Sequence, residues 1–358
     1  MSLDKKIHVA LFFGGQSSEH DVSMQSARNI FDALDAEKYD VLLIYISKAG
    51  RFFICEELGL KSMSVEHEDK KTALQNEDNE IAFIMGGKGR CVYVNNVRRD
   101  VHIDIAFPIL HGPFGEDGTI QGLFRMAGVS FVGPGVIGSA IGMDKDVAKR
   151  LLREGGFLVA DFMTVRKTDE KTLNFDDIKN KLGLPLFIKP ANAGSSIGVS
   201  KVSTQGEFLP AISEAFRNDT KILIEEAIVG REIECAVLGN TSARASVLGE
   251  IAPTNGFYSY KAKYTDDKGA TLTIPANLPS ELTVDIQNIA VAVFACLECT
   301  GMTRVDFFVT KNDEIYINEI NTIPGFTSIS MYPKLWEASD MSYSQLLDTL
   351  IVLGLEQS

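Results

Sequence analysis

Apolar and polar positions repeat along this chain in two registers. In RVDFFVTKNDEIYINEIN (304–321) they alternate with a period of two, the pattern of a half-buried strand. The polar run Lys311-Asn312-Asp313-Glu314 splits the stretch into a hairpin. A turn centred between Asn312 and Asp313 sets Asp306 opposite Glu319 and Arg304 opposite Asn321, all four on one face. The other face carries Val305, Phe307, Val309, Tyr316 and Ile320, with Asn318 as its only polar member. Carboxylates directly opposite each other repel, so the polar face needs a reason other than stability.

Elsewhere the pattern alternates strand with helix. IHVALFF and YDVLLIYIS are continuous apolar runs, and Ala27, Ile30, Phe31 and Leu34 between them fall at helical spacing. IDIAFPIL predicts another buried strand, followed by the loop HGPFGEDG and a short helix in TIQGLFRMAG. This predicts an α/β layer built on a parallel sheet, with ligand-bearing loops at the carboxyl ends of its strands. Residues 55–100 are uneven: a charged stretch, then short strand-like runs around MGGKGR. The Gly- and Pro-rich FVGPGVIGSA marks a boundary. After it, MDKDVAKRLLREGG predicts a helix with Asp144 as N-cap and Gly155 as stop. LPLFIKP, the loop ANAGSSIG, VSKV, a helix from Phe208 to Phe216, and ILIEEAI predict a small α+β unit. A larger α+β unit follows. The expected division is 1–133, 134–225 and 226–358. At 358 residues a chain divides into several domains.

Charge narrows the function classes. A formal charge of −13 argues against nucleic acid or an anionic membrane as partner. Any anionic ligand must then meet placed lysines, arginines or bound cations. Five scattered cysteines suit a reducing compartment. Cys296 and Cys299 form a CxxC, but inside an apolar helical pattern, which favours core packing over metal or redox work. The N-terminal run Ile7–Phe13 ends in Gly-Gly without a signal-peptide cleavage pattern and predicts a strand. No run approaches the roughly 18 apolar residues of a membrane span. A cytoplasmic protein is expected.

Four groups carry candidate chemistry. Asp306, Glu319 and Asn321 offer hard oxygen ligands suited to Mg2+ completed by phosphate oxygens; the alternative is a solvated face with Arg304 bridging both acids. The loop holding Gly194, Ser195, Ser196 and Gly198 can wrap a phosphate with backbone N–H groups or be an ordinary flexible hairpin. Lys189 ends a buried strand beside that loop. Lys145 sits in the first turn of a helix, where the dipole disfavours a cation unless an anion binds nearby. Glu19 suits an ammonium group, and His111 and Glu116 suit a small polar substrate. Together these fit metal-assisted phosphoryl transfer to a small molecule.

The ordered set GGQSSEHDVS, HGPFGEDGTIQG, MDK, IKPANAGSSIGVSKV, FYSYKAKY, TRVDFF and NEINTIPGFTSISMYP closely resembles the D-alanine–D-alanine ligases of the ATP-grasp superfamily, nearly end to end. The resemblance implies a three-domain ATP-grasp fold, ATP as substrate, two Mg2+ (with Mn2+ as a substitute) and a homodimer through the first domain. It implies that Lys145, Lys189 and Ser196 meet the ATP phosphates. Ala227 and Ile228 would contact the adenine through their backbone, Glu225 would accept from its amino group, and Glu232 would hold the ribose. Asp306, Glu319 and Asn321 would bind the metal ions, and Arg304 and the Gly325 amide would stabilise developing negative charge. Glu19 would hold the first D-alanine's ammonium beside His111, while Ser330 and the Met331 amide would take the second one's carboxylate. Lys263 would join the nucleotide site from the lid FYSYKAKY, where Tyr264 would hydrogen-bond Ser195 and Glu19. The tyrosine points to a dipeptide product; the nearest alternative is D-alanine–D-lactate ligation. A sensor without turnover and a small-molecule kinase are more distant alternatives.

Overall fold

The structure is a computed structural model that describes residues 6–56, 74–95, 100–253 and 270–357. Three sheets succeed one another along the chain. The first contains β1 (Ile7–Gly14), β2 (Tyr39–Ile46), β3 (Phe52–Cys55), β4 (Glu80–Phe83), β5 (Arg90–Tyr93), β6 (Val101–His102), β7 (Ile105–Pro108) and β8 (Ser130–Phe131). Its order is β6-β5-β4-β3-β2-β1-β7-β8. The half β2-β1-β7-β8 is parallel, as the continuous apolar runs require. The other half is antiparallel. The sheet is therefore mixed, because the strand-like runs of the uneven 55–100 region pair onto its edge.

The second sheet is β11-β10-β12-β9, from β9 (Phe162–Arg166), β10 (Leu186–Pro190), β11 (Ser200–Val202) and β12 (Lys221–Glu226). Helix Gln205–Asn218, started by a Thr204/Glu207 capping box, buries Phe208 and Ile212 against Ile188, Ile222 and Ile224.

The third sheet is β15-β14-β13-β16-β17, from β13 (Gly230–Gly239), β14 (Arg244–Pro253), β15 (Ala270–Thr273), β16 (Gly301–Thr310) and β17 (Ile315–Asn321). Helix Ser280–Cys296 lays Ile286, Ala290, Val293 and Phe294 on one face of it. Helix Lys145–Glu154 adds Ala148 and Leu152 to the same core. Its N-cap is Asp144, which accepts from the Asp146 and Val147 amides, and it stops at Gly155, as the sequence predicts. Cys299 is buried here with its thiol pushed up to about 12 by desolvation, which is packing rather than reactivity.

The C-terminal helix Tyr343–Glu356 returns to the first sheet. Its Leu346, Leu347, Leu350 and Ile351 share a core with Val9, Leu11 and Phe107 and with Leu238, Phe326 and Trp336. Each such side chain contributes about 1.5–3 kcal/mol, so the first and third sheets are fused through one core. The second sheet keeps a core of its own.

The β16–β17 hairpin carries one surprise. Asp306 faces Glu319 and Arg304 faces Asn321, as the alternation predicts. Nearer the turn the pairs are Phe307–Ile317, Phe308–Tyr316 and Val309–Ile315, one residue out of that register. A bulge at Asn318 absorbs the extra residue. The apolar face therefore takes Ile315 and Ile317. Tyr316 joins Phe308 on the polar face, and Asn318 moves beside Glu319. Placing Tyr316 and Asn318 on the apolar face was incorrect because an unbroken ladder was assumed.

Candidate functional site

Two connected cavities lie where the sheets meet. The larger, about 340 Å3, runs between the second and third sheets. Lys145, Lys189, Ser196, Glu225, Ala227, Ile228, Glu232, Asp306 and Glu319 line it. The smaller, about 110 Å3, is lined by Glu19, His111, Ser195, Arg304, Glu319, Asn321, Gly325, Ser330 and Met331. Glu234 and Glu319 line both. Every candidate residue named above is thus at one cavity or the other, apart from Gly198, which lies farther along the glycine loop, and Lys263 and Tyr264, which lie outside the described residues.

The junction is an electrostatic knot. Arg304 donates from Nε and Nη2 to the two Asp306 oxygens, each at 2.7 Å. Its Nε is also 2.9 Å from Glu234 Oε2, and Asn321 Nδ2 donates to Asp306 at 2.9 Å. Burial works against the Arg304 charge, but Asp306 and Glu234 outweigh it and keep the guanidinium ionised. Arg304 therefore bridges acids, although the second is Glu234 from β13 rather than Glu319. Strand alternation could have found Glu234: it lies two residues from Glu232 and opposite Asp306.

The donor set fits magnesium. Asp306 and Glu319 are cross-strand neighbours with hard oxygens, Asn321 adds an amide oxygen, and the adjoining cleft has room for phosphate oxygens. Among the described residues no cluster of three acidic, histidine or cysteine side chains forms a ready metal cage. Arg304 and Asn321 both engage Asp306, so an ion bound there would share its oxygens with them.

The lysines converge as charge requires. Lys145 Nζ donates to the Ala193 carbonyl at 2.7 Å and lies 3.8 Å from Glu319, which answers the dipole objection with a carboxylate and the glycine loop. Lys189 Nζ is 2.6 Å from Glu225 Oε2. Sequence reasoning missed a third lysine, Lys149, 3.3 Å from Glu225 Oε1. Its signal is helical spacing: Lys149 is four residues after Lys145 and shares its face.

In the smaller cavity, loops carrying Glu19, His111, Ser195 and Gly325 meet the strand residues Arg304, Glu319 and Asn321. Ser195 donates to Glu19 Oε1, linking the glycine loop to the first unit. Ser195 and Ser196 both hold left-handed backbone, φ 50° and 59°, a conformation that costs L-residues energy and needs surrounding support. A side chain at Gly112 (φ 71°) would bring its Cβ within 2.9 Å of Glu19 Oε2, and one at Gly194 within 3.0 Å. Gly112 is favoured as glycine by its left-handed backbone, and a side chain at either position would press on the Glu19 carboxylate. His111 and Glu116 clasp the backbone of a single residue in the loop after β17: the Ile323 carbonyl accepts from His111 Nδ1 at 3.1 Å, and the Ile323 amide donates to Glu116 Oε1 at 3.1 Å. This fixes the loop carrying Gly325. The Nδ1–H tautomer leaves buried Nε2 as an acceptor with no hydrogen-bond partner among the described residues. Burial pushes His111 below the ordinary histidine range, against the pull of Glu19. Glu116 is pushed up to about 8, first by burial and then by Glu19.

Comparison with known proteins supplies the remaining context. Residues 8–134 match the family model described as D-ala D-ala ligase N-terminus, and residues 151–352 match D-ala D-ala ligase C-terminus. The chain is 52% identical over 355 residues to a D-alanine–D-alanine ligase of Oceanobacillus iheyensis, covering 99% of this chain and 96% of the relative. It is 45% identical over 356 residues to D-alanine–D-alanine ligase A of Escherichia coli, covering 99% and 97%. Among solved structures, the D-alanine–D-alanine ligase of Coxiella burnetii matches with a TM-score of 0.86 at 39% identity, covering 98% of this chain and 94% of that one. The VanG D-Ala:D-Ser ligase of Enterococcus faecalis matches with a TM-score of 0.85 at 37% identity, covering 98% and 100%.

Proposed function

This chain belongs to the D-alanine–D-alanine ligase family, and on that premise we propose how its site joins two D-alanines at the expense of ATP. The product, D-alanyl-D-alanine, serves peptidoglycan precursor synthesis. The observation that carries the reading is the sharing of Glu234 and Glu319 by the two cavities: a phosphoryl group held in the larger one is delivered to a carboxylate held in the smaller one.

A carboxylate is a poor electrophile because its oxygen leaves badly. In the proposed sequence the first D-alanine's carboxylate attacks the γ-phosphorus of ATP, ADP departs, and an acyl phosphate forms. The second D-alanine's free amine attacks the acyl carbon, and the tetrahedral intermediate collapses with loss of phosphate. Glu19, fixed by Ser195, suits the first ammonium, and the His111 Nε2 lone pair suits a second contact to it. Gly325 lies beside Ser330, whose Oγ a Cβ at Gly325 would meet at 2.7 Å. That proximity supports the Gly325 amide at the developing oxyanion and Ser330 with the Met331 amide at the second carboxylate.

Lys145, Lys189 and Ser196 face the phosphates from the second-sheet side. Glu225, Ala227, Ile228 and Glu232 line the end of the cleft suited to the nucleoside. Asp306, Glu319 and Asn321 would hold Mg2+, which neutralises charge on the transferring group when bound. Lys263 and Tyr264 belong by sequence to the segment proposed to exclude water, which would otherwise hydrolyse the acyl phosphate. The frame is the three-unit division 1–133, 134–225 and 226–358.

No helix among the described residues is long and apolar enough to cross a membrane, and use of ATP supports a cytoplasmic setting. A homodimer through the first unit is supported by Met85 and Met126, exposed there by 49% and 66% and joined through the Gly86–Met126 hydrogen bond; sedimentation at a single monomer mass would contradict it. The activity itself is tested by mass spectrometry of the products from ATP, Mg2+ and D-alanine. D-alanyl-D-alanine with equimolar ADP and phosphate is expected, and none with L-alanine. A stable phosphorylated D-alanine with no new amide would replace the ligase reading with a kinase.

A further inference from the structure

Lys149 is one of the most completely enclosed charges in the protein, 2% exposed. It lies on helix Lys145–Glu154, whose apolar side is fixed in the third-sheet core through Ala148 and Leu152. Its ammonium faces Glu225 of β12 at 3.3 Å and lies 6.0 Å from the centre of the Phe162 ring. Glu225 is equally enclosed, 4% exposed, and its other oxygen holds Lys189. Lys149 borders a void of about 10 Å3, beside Lys145, Asn318 and Glu319, room for about one water and not for a phosphate. It is absent from the walls of the large cleft, whereas Glu225 is part of them. A buried carboxylate with one cation on each oxygen is held ionised and fixed in orientation. Burial pushes the Glu225 carboxyl up, yet Lys149 and Lys189 together bring it below the usual carboxylate range. An ionised carboxylate is only an acceptor.

We propose that Lys149 is a positioning residue for base selection, holding the Glu225 carboxylate charged and aimed so that it accepts from a purine 6-amino group and repels a 6-oxo group. The inference rests on the reading of Glu225 given above and assigns the selectivity of that contact to a residue that never touches the nucleotide. Lys189 cannot serve alone, because it also faces the phosphates and is shared with them.

The test is the preference among three nucleotides: ATP, inosine triphosphate (6-oxo) and purine riboside triphosphate (no 6-substituent). In the wild type kcat/KM should be highest with ATP, lower with the purine riboside, and lowest with inosine triphosphate, whose 6-oxo group meets the carboxylate. Lys149→Met should reduce the ratio of ATP to inosine triphosphate by about tenfold, with the purine riboside value and KM for D-alanine little changed. Lys149→Arg, which restores the charge, should recover the ratio to within about threefold. If Lys149→Met does not accumulate as folded protein, Lys149→Gln reads the same ratio. Glu225→Gln serves as comparator. A ratio that collapses in Glu225→Gln but is unchanged in the neutral Lys149 variants overturns the assignment and leaves Glu225 as the base reader. A ratio unchanged in both removes Glu225 from that role, and the proposal falls with it. Failure of the wild type to make dipeptide with any of the three strikes the ligase reading itself.

Discussion

The two cavities solve the same problem, holding a charged ligand in a chain of net charge −13, by different means. The nucleotide cleft is built largely from strand faces. Asp306, Glu319, Glu232 and Glu234 project from a single sheet; Arg304 of the same sheet engages Asp306 and Glu234, and Lys145 lies near Glu319. The smaller cavity, proposed for D-alanine, adds loops that follow strands of all three sheets to the strand residues Arg304, Glu319 and Asn321. It depends on backbone groups and close approaches: Ile323 held through both its N–H and its C=O, and two glycines against Glu19. Charge distributed over a regular face tolerates small displacements, whereas crossing loops place each group singly. The cleft is therefore expected to lose catalysis when a charge is removed, and the smaller cavity to lose amino-acid affinity when a contact is removed.

The sharpest way to break this comparison is at the junction. Asp306→Asn removes a metal-ligand charge and leaves Arg304 paired only with Glu234. kcat should fall about a thousandfold, with KM for D-alanine within a few fold of wild type. A variant that instead lost D-alanine affinity at unchanged kcat would move Asp306 from the phosphoryl site to the amino-acid site. Next is Glu19→Gln, which weakens charge-assisted bonds to an ammonium and to Ser195. KM for one D-alanine should rise about 10- to 100-fold while KM for ATP stays constant; an equal rise in both would erase the distinction between the cavities.

Smaller still is the effect of the loop clasp on stability. The folded-state pKa of Glu116 is raised, to about 8, above an unfolded value near 4.5. Its contribution is fully present below about 4.5 and is lost as pH rises to about 8. Glu116 accepts from the Gly112 amide at 2.6 Å as well as from the Ile323 amide; Glu116→Gln loses one of these two acceptor oxygens, so it should melt lower than wild type at pH 5. That gap should narrow by on the order of a few kcal/mol by pH 8, because only the wild type pays to ionise there. A constant gap across the range would mean that Glu116 is already ionised at pH 5.

The same contrast explains what was legible from sequence. Strand alternation alone put Asp306 opposite Glu319 and Arg304 on the same face, because period two leaves only two choices. It misplaced Asn318 and Tyr316, since a bulge leaves no mark in the apolar pattern. Lys145 looked misplaced at a helix start, and its partners, Ala193 and Glu319, come from other elements. Lys149 lay in plain helical register with it but carried no motif. The convergence of Glu19, Ser195 and the Ile323 loop followed only from the family resemblance; nothing in local periodicity brings together residues 176 positions apart. The edge strands between residues 80 and 102 were visible as short runs, but no local signal told which edge they would join.

The central claim is that phosphoryl transfer crosses the junction at Glu234 and Glu319, onto the carboxylate of the first D-alanine. It is tested most directly by running the ligation with D-alanine whose carboxylate carries heavy oxygen, and measuring the label in the released phosphate. Attack by that carboxylate on phosphorus predicts one labelled oxygen in each phosphate released, with the other retained in the peptide carbonyl. Phosphate free of label, alongside normal dipeptide yield, would contradict the account.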